Sequence, residues 1–203
     1  MSARPFDLVV FDFDGTLVLS NAVKANGFNR IAEQFEGGPA AMEQALAEPG
    51  LDRHTVARRF AETLRLPPDA APKIAKAYGD LVNSAVVEVP EAPGASDLIE
   101  ALRGALVAVH VSSATPRDAL VDILNDRGWS MRFDGVHGRP ATKVETLEAL
   151  IAATRTPPAR IAVVGDGPDD GASAEAVGAA FFAVGDRLPG ARPLAEVRGE
   201  LLP

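Results

Sequence analysis

Short apolar runs rich in Val, Ile and Phe, alternating with helix-period segments, constrain this chain more than any other feature. The runs are Phe6 to Phe11, Ala105 to Val111, Ile161 to Val164 and Ala180 to Val184. Each is continuous rather than alternating, which is the pattern of strands buried on both faces. Between them lie helical patterns over Ala95 to Arg103, Pro116 to Arg127, Lys143 to Thr154 and roughly Asp169 to Val177, with Pro116 placed as a first-turn proline. Strands separated by helices predict an α/β fold with a doubly wound parallel sheet of the Rossmann-like kind. In such a sheet the ligand site lies beyond the carboxyl ends of the strands.

From Asn21 to about Val87 the pattern changes, because helix-period segments follow one another with no strand-like run between them. They are separated by "EGGP", "AEPGLD" and "LPPDAAP". The predicted organisation is therefore a core domain of residues 1–18 and 88–203 carrying an inserted all-helical domain over 19–87. An insertion that leaves after the first strand and returns before "VPEAPGA" has both ends near the carboxyl edge of the sheet, where it could act as a lid. The tail from Arg187 onward is rich in Pro, Gly and Arg and is expected to be partly irregular.

Charge and composition narrow the function. The 203 residues carry a net charge of -8 and no cluster of Lys and Arg, which argues against a nucleic-acid backbone as partner. There are no cysteines, so disulfides, thiolate zinc sites and cysteine nucleophiles are excluded. The N-terminal stretch has one arginine before a short apolar run that ends in acids, unlike a secretory signal, and no apolar run is long enough to span a membrane. A cytoplasmic protein with no membrane partner is expected.

The first run continues as "VVFDFDGTLV", placing Asp12 and Asp14 one residue apart. Asp14-Gly15 between apolar residues is also a hairpin-turn signal. That alternative leaves Asp12 unexplained, since an acid closing an apolar strand costs desolvation energy unless it is paired or binds a cation. Side chains two apart on a strand share a face, so the spacing directs both carboxylates into one volume. An EF-hand loop would need further oxygen ligands that Thr16, Val18 and Ser20 do not supply.

Other predicted strand ends are polar too. "SSATP" offers the hydroxyls of Ser112 and Ser113 ahead of a helix N-terminus suited to anions, although serines there also serve as caps. "GRPATK" puts Lys143 at the start of a helix, where a cation opposes the dipole and is better explained by a nearby anion. "VVGDGPDDG" brings Asp166, Asp169 and Asp170 into a glycine-rich turn. One acid would fit a helix cap, but three opposite two more make a crowded negative site that calls for a divalent cation. All-oxygen ligands and the absence of Cys favour Mg²⁺ over zinc.

"DFDGTL", "VSSATP", Lys143 and "VVGDGPDD", in this order and spacing, resemble the four motifs of the haloacid dehalogenase superfamily, and the helical insertion resembles its cap domain. The resemblance implies a phosphoric monoester hydrolase in which Asp12 is the nucleophile and Asp14 the general acid and base. It implies Mg²⁺ held by the side chains of Asp12 and Asp166 and the backbone carbonyl of Asp14, with Asp170 orienting metal-bound water. Ser113 is implied as the phosphate ligand, although a one-residue slip would exchange it with Ser112, and Lys143 would neutralise phosphate and nucleophile together. Gly15, Thr16, Ser112, Ala114 and, from the insertion, Lys24 complete the implied substrate contacts. Asp169 is taken as a turn residue.

The implied activity is Mg²⁺-dependent hydrolysis of a small phosphorylated metabolite, such as a sugar phosphate, through an aspartyl-phosphate. Carbon–halogen cleavage needs no leaving-group proton, so an acid at Asp14 argues against dehalogenation. A phosphomutase with the same machinery, and a catalytically silent binding or regulatory module, remain open alternatives at this point. Asn21, Asn26, Arg53, Arg58, Arg59 and Lys76 are further polar positions of the insertion, for which a solvated helix face is the simpler explanation. His110, Trp129 and Tyr78 read as packing residues, and His54 and His137 as isolated ones.

Overall fold

A computed structural model describes residues 4–48 and 51–202. The Pro49-Gly50 pair of the "AEPGLD" separator lies outside the described residues. The chain divides into two compact units: residues 1–19 with 89–203, and residues 20–88.

The first unit is built on one five-stranded, wholly parallel sheet. Its strands are β1 (Leu8–Phe11), β2 (Ala108–Pro116), β3 (Gly135–Arg139), β4 (Ile161–Gly165) and β5 (Ala180–Ala183), in the order β3-β2-β1-β4-β5. Val9 and Val10 point to opposite faces and are 0% and 2% exposed, so helices cover both faces of β1. One face packs Leu8, Val10, Ile161 and Val163 against Leu147, Leu150 and Ala174. The fold is Rossmann-like and doubly wound. Chain order reverses at β1, which has β2 on one side and β4 on the other, and that reversal is where such sheets open a crevice for ligands.

The second unit is all-helical, with α1 (Asn21–Ala32), α2 (Gly38–Ala45), α3 (Arg53–Thr63) and α4 (Ala70–Glu88). Each helix buries an apolar stripe: Phe28 and Ile31 of α1, Met42 of α2, Phe60 of α3, and Ile74, Tyr78 and Val82 of α4. Tyr78 stacks on Phe28 at a 3.9 Å centroid distance and donates its hydroxyl to the Lys24 carbonyl. Gly27 is fitted to this contact, because a Cβ there would press on Val82 and Tyr78.

The core helices are α5 (Ala95–Gly104), α6 (Arg117–Asp126), α7 (Lys143–Thr154), α8 (Pro168–Val177) and α9 (Leu194–Leu201). The tail expected to be irregular thus contains α9, which buries Leu194, Val197 and Leu201. The second strand is displaced from the expected Ala105 to Val111: Ala105 caps α5, and Leu106, at φ 59° and 80% exposed, turns the chain before β2 begins. β2 then runs on through "SSATP" by pairing with β3, so Pro116 caps α6 rather than entering its first turn. β3 itself, "GVHGR", lies outside the expected strands, because its pairing with β2 rather than an apolar run defines it. Among the described residues no helix is long and apolar enough to cross a membrane.

Candidate active site

β1 ends where its apolar side chains end. Phe11 pairs with Val111 and Val164, and the next residue, Asp12, donates its N–H to the Val164 carbonyl at 2.8 Å. The chain then turns tightly: Gly15, at φ 80°, donates to the Val18 carbonyl, and the Phe13 carbonyl accepts from Leu17 and Val18. The Asp-Gly turn does not form a hairpin, since β1 has only parallel neighbours. Phe13 is fully buried with its ring edge-on to Trp129, which anchors the turn between the two aspartates.

β4 and α8 supply the facing acids. Asp166 follows β4 directly, and Asp170 lies in the first turn of α8, where its Oδ2 accepts the Gly167 N–H at 3.1 Å. Asp170 fits over the end of β4 only because residue 165 is glycine; a Cβ there would collide with its carboxylate. α7 brings in Lys143 as its first residue, with a capping box of Thr142 and Glu145 fixing the helix start.

These elements converge on a buried cluster. Asp12, Asp166 and Asp170 are 6%, 3% and 1% exposed, and each offers an oxygen within 4.8 Å of the others. Lys143 Nζ lies 3.0 Å from Asp12 Oδ1, 2.6 Å from Asp170 Oδ1 and 2.9 Å from Asp169 Oδ2. Arg187 Nη1, in the loop after β5, reaches Asp166 Oδ2 at 3.2 Å. Asp14 Oδ2 accepts from Ser113 Oγ at 3.0 Å and from Thr115 Oγ1 at 3.2 Å, and the Thr115 N–H in turn donates to Ser113 Oγ.

The electrostatics are those of a site with too much negative charge. Burial, reinforced by Asp170 and Asp14, pushes the Asp12 carboxyl well above the ordinary carboxylate range despite Lys143. Burial likewise pushes Asp170 up to about 6, against the pull of Lys143. Burial alone would lower the Lys143 ammonium; Asp12, Asp170 and Asp169 outweigh it and hold the lysine above its ordinary value. The donors available are carboxylate oxygens, buried and close enough to share one ion, so the cluster fits a hard divalent cation. The buried Thr16 hydroxyl has no hydrogen-bond partner among the described residues, a further polar atom that a ligand or water would satisfy.

Of the expected site residues, Asp12, Asp14, Ser113, Lys143, Asp166 and Asp170 are linked by these contacts or share the cluster. Ser112 is buried one position before Ser113. Ala114, Ser113, Lys143, Asp169 and Arg139 line a cavity of about 230 Å³. Lys24 lies on α1 in the helical unit. Three contacts escape a reading of the sequence. Asp169, taken as a turn residue, is ion-paired to Lys143. Thr115 could have been found from strand alternation, being two residues from Ser113 on β2. Arg187 carries no sequence signal, since only the fold returns its loop to Asp166. His137 is also not isolated: its Nε2 lies 3.0 Å from His110 Nδ1, with the rings stacked.

A strand end carrying two aspartates, a lysine and an acidic cluster thus meet at the switch point of a doubly wound sheet, where α/β proteins of this class bind their ligands. The family model for haloacid dehalogenase-like hydrolases matches residues 9–184, and the chain belongs to that family. No curated protein gives a significant match. Solved structures share the fold at low identity. A predicted phosphoglycolate phosphatase from Haemophilus somnus 129pt is 21% identical, with a TM-score of 0.73 over 96% of this chain and 92% of that one. CbbY from Rhodobacter sphaeroides, solved in complex with xylulose-(1,5)bisphosphate, is 17% identical, with a TM-score of 0.73 over 95% and 96%. YfnB from Bacillus subtilis, bound to magnesium, is 16% identical, with a TM-score of 0.70 over 98% and 99%.

Proposed function

We propose that the protein is a Mg²⁺-dependent phosphatase that hydrolyses a small phosphomonoester through an aspartyl-phosphate on Asp12. The observation that carries the proposal is the pairing of roles at one strand end. Asp12 Oδ1 is held on Lys143, while Asp14, two residues on, is held by the hydroxyls of Ser113 and Thr115. One carboxylate is thereby oriented beside a cation, as a nucleophile toward an anion requires, and the other is set apart from it for proton transfer.

In the first step an Asp12 oxygen forms a bond to phosphorus as the bond to the leaving oxygen breaks, and Asp14 donates its proton to that oxygen. In the second, Asp14 takes a proton from water as the water oxygen attacks phosphorus, releasing phosphate and regenerating the Asp12 carboxylate. Lys143 offsets charge on the phosphoryl group and the nucleophile, and Ser113, whose single O–H goes to Asp14 in the free site, would turn it to a phosphoryl oxygen when substrate binds, leaving Thr115 on Asp14. Asp12, Asp166 and Asp170, with the Asp14 backbone carbonyl, would hold Mg²⁺, whose chemistry is to screen the anionic nucleophile from the anionic substrate.

Small phosphorylated metabolites suit this assignment, in keeping with the phosphoglycolate phosphatase and CbbY relatives. Residues 20–88 would serve as the cap that selects among them. The test is phosphate release from a panel of phosphorylated metabolites, with and without Mg²⁺, for wild type beside Asp12→Asn. Metal-dependent release that vanishes in the variant supports the assignment. Release that survives in Asp12→Asn removes Asp12 as nucleophile. If both proteins are silent, fluoroberyllate binding that depends on Asp12 separates an untried substrate from a non-catalytic site.

A further inference from the structure

Three carboxylates surround Lys143 Nζ: it donates hydrogen bonds to Asp12 Oδ1 and Asp170 Oδ1 and is ion-paired with Asp169 Oδ2 at 2.9 Å. The partners are not equivalent. Asp12 and Asp170 are buried, and Asp170 is fixed a second time by the Gly167 N–H. The Asp169 side chain is 61% exposed and pairs with Lys143, while Arg187 adds a weaker attraction from farther off. It folds back over the turn because residue 167 is glycine; a Cβ there would stand 2.5 Å from Asp169 Oδ1. The cavity of about 230 Å³ opens at this contact, with Ser113, Arg139, Lys143 and Asp169 in its lining. An anion entering it to reach Lys143 therefore meets an ammonium on which the Asp169 carboxylate already sits.

We propose that Asp169 stands in for the substrate's phosphoryl group, pairing with the Lys143 ammonium in the free site and giving up that contact when substrate binds. This rests on the phosphatase assignment above and adds a residue that sets anion affinity. Exchange of one anion for another keeps the buried ammonium paired throughout, so substrate entry needs no unpaired charge. The same exchange in reverse helps release inorganic phosphate, because Asp169 competes for the ammonium that retains the product. Asp169 is placed to do this and Asp12 and Asp170 are not, since an exposed carboxylate recovers its hydration when it swings away.

The experiment is calorimetric titration of inorganic phosphate into the Mg²⁺-loaded protein, using wild type, Asp169→Asn, Asp169→Glu, Asp186→Asn and Lys143→Met. Asp169→Asn should bind phosphate about two- to fivefold more tightly, the range expected from one partly exposed ion pair. Its KM for the best phosphomonoester should fall by the same factor with kcat no higher, and Asp169→Glu should match wild type. Asp186 is exposed in the loop after β5, and no ion pair joins it to Lys143 among the described residues. Asp186→Asn removes an equal charge and should show no gain. An affinity in Asp169→Asn at or below wild type, or an equal gain in Asp186→Asn, overturns the proposal. If wild type binds phosphate and Lys143→Met does not, that failure belongs to Asp169 alone. Phosphate binding that ignores Lys143 overturns the phosphatase assignment with it.

Discussion

Replacing Lys143 by methionine tests the electrostatic logic of the site without reference to any substrate. The Lys143 side chain is 14% exposed, and those of Asp12 and Asp170 are 6% and 2%. These are buried pairs, and removing one partner of such a pair costs about 3–5 kcal/mol because the other charge stays behind unpaired. Asp169 is exposed and adds at most about 1 kcal/mol. Against this, Lys143 opens α7 and opposes its dipole, so its removal returns up to about 1 kcal/mol. The net loss is about 3–5 kcal/mol, or roughly 6–20 °C in Tm for a chain of this size.

The assay is differential scanning calorimetry in chelator and in rising Mg²⁺. A cation bound only by the folded protein adds about 2.7 kcal/mol at one hundred times its Kd. In Lys143→Met that cation meets carboxylates with no competing ammonium, so its stabilisation should exceed the wild-type value. Lys73→Met, which breaks an exposed pair with Asp69, is the control and should change Tm by no more than a few degrees. A Lys143→Met protein that melts with wild type in chelator would refute the argument, for the buried acids would then not depend on the lysine.

Four other perturbations follow from named contacts. Arg187→Ala frees Asp166 from a half-exposed guanidinium and should tighten Mg²⁺ binding about two- to fivefold in calorimetric titration; weaker binding would mean that Arg187 positions the ligand rather than competes for it. Thr115→Val removes a hydroxyl donor from Asp14 and should lower kcat about fivefold with KM little changed, and an unchanged kcat would mean that Thr115 does not orient Asp14 for proton transfer. Lys24→Ala should raise KM for the best substrate more than it lowers kcat, and an unchanged KM removes it from substrate recognition. His110 is pushed down to about 4 from 6.5, first by burial and then by His137, against Asp134, while Arg117 lies beside His137. The folded protein thus binds fewer protons there than the unfolded chain, so stability is complete above pH 6.5 and falls toward pH 4, by about 1–3 kcal/mol after solvent screening. Urea titrations at several pH values should show a shallower acid loss in His110→Gln, and parallel curves would refute the assignment.

Chemically central residues and the residues that tune them differ in how far the sequence exposes them, and burial explains why. Asp12 and Asp166 end apolar strands, where a carboxylate contradicts its neighbours, and Lys143 opens a helix that its charge disfavours. Such local conflicts mark sites because something outside the segment must compensate them. Asp169 and Arg187 contradict nothing: an acid in a helix's first turn and an arginine in a glycine- and proline-rich loop satisfy every local rule. Their partners lie 26 and 21 residues away in the chain, between Lys143 and Asp169 and between Asp166 and Arg187, so only the folded sheet joins them. Strand β2 shows the same limit. Its polar end, Ser112 to Thr115, reads in the sequence as a loop before a helix that starts at Pro116, yet pairing with β3 keeps Ser112 to Pro116 extended. That extension alternates Ser113 and Thr115 onto one side, which places two hydroxyls rather than one on Asp14. A site built at a sheet edge is thus announced by residues that break local rules, while the residues that contact them across the fold keep every local rule.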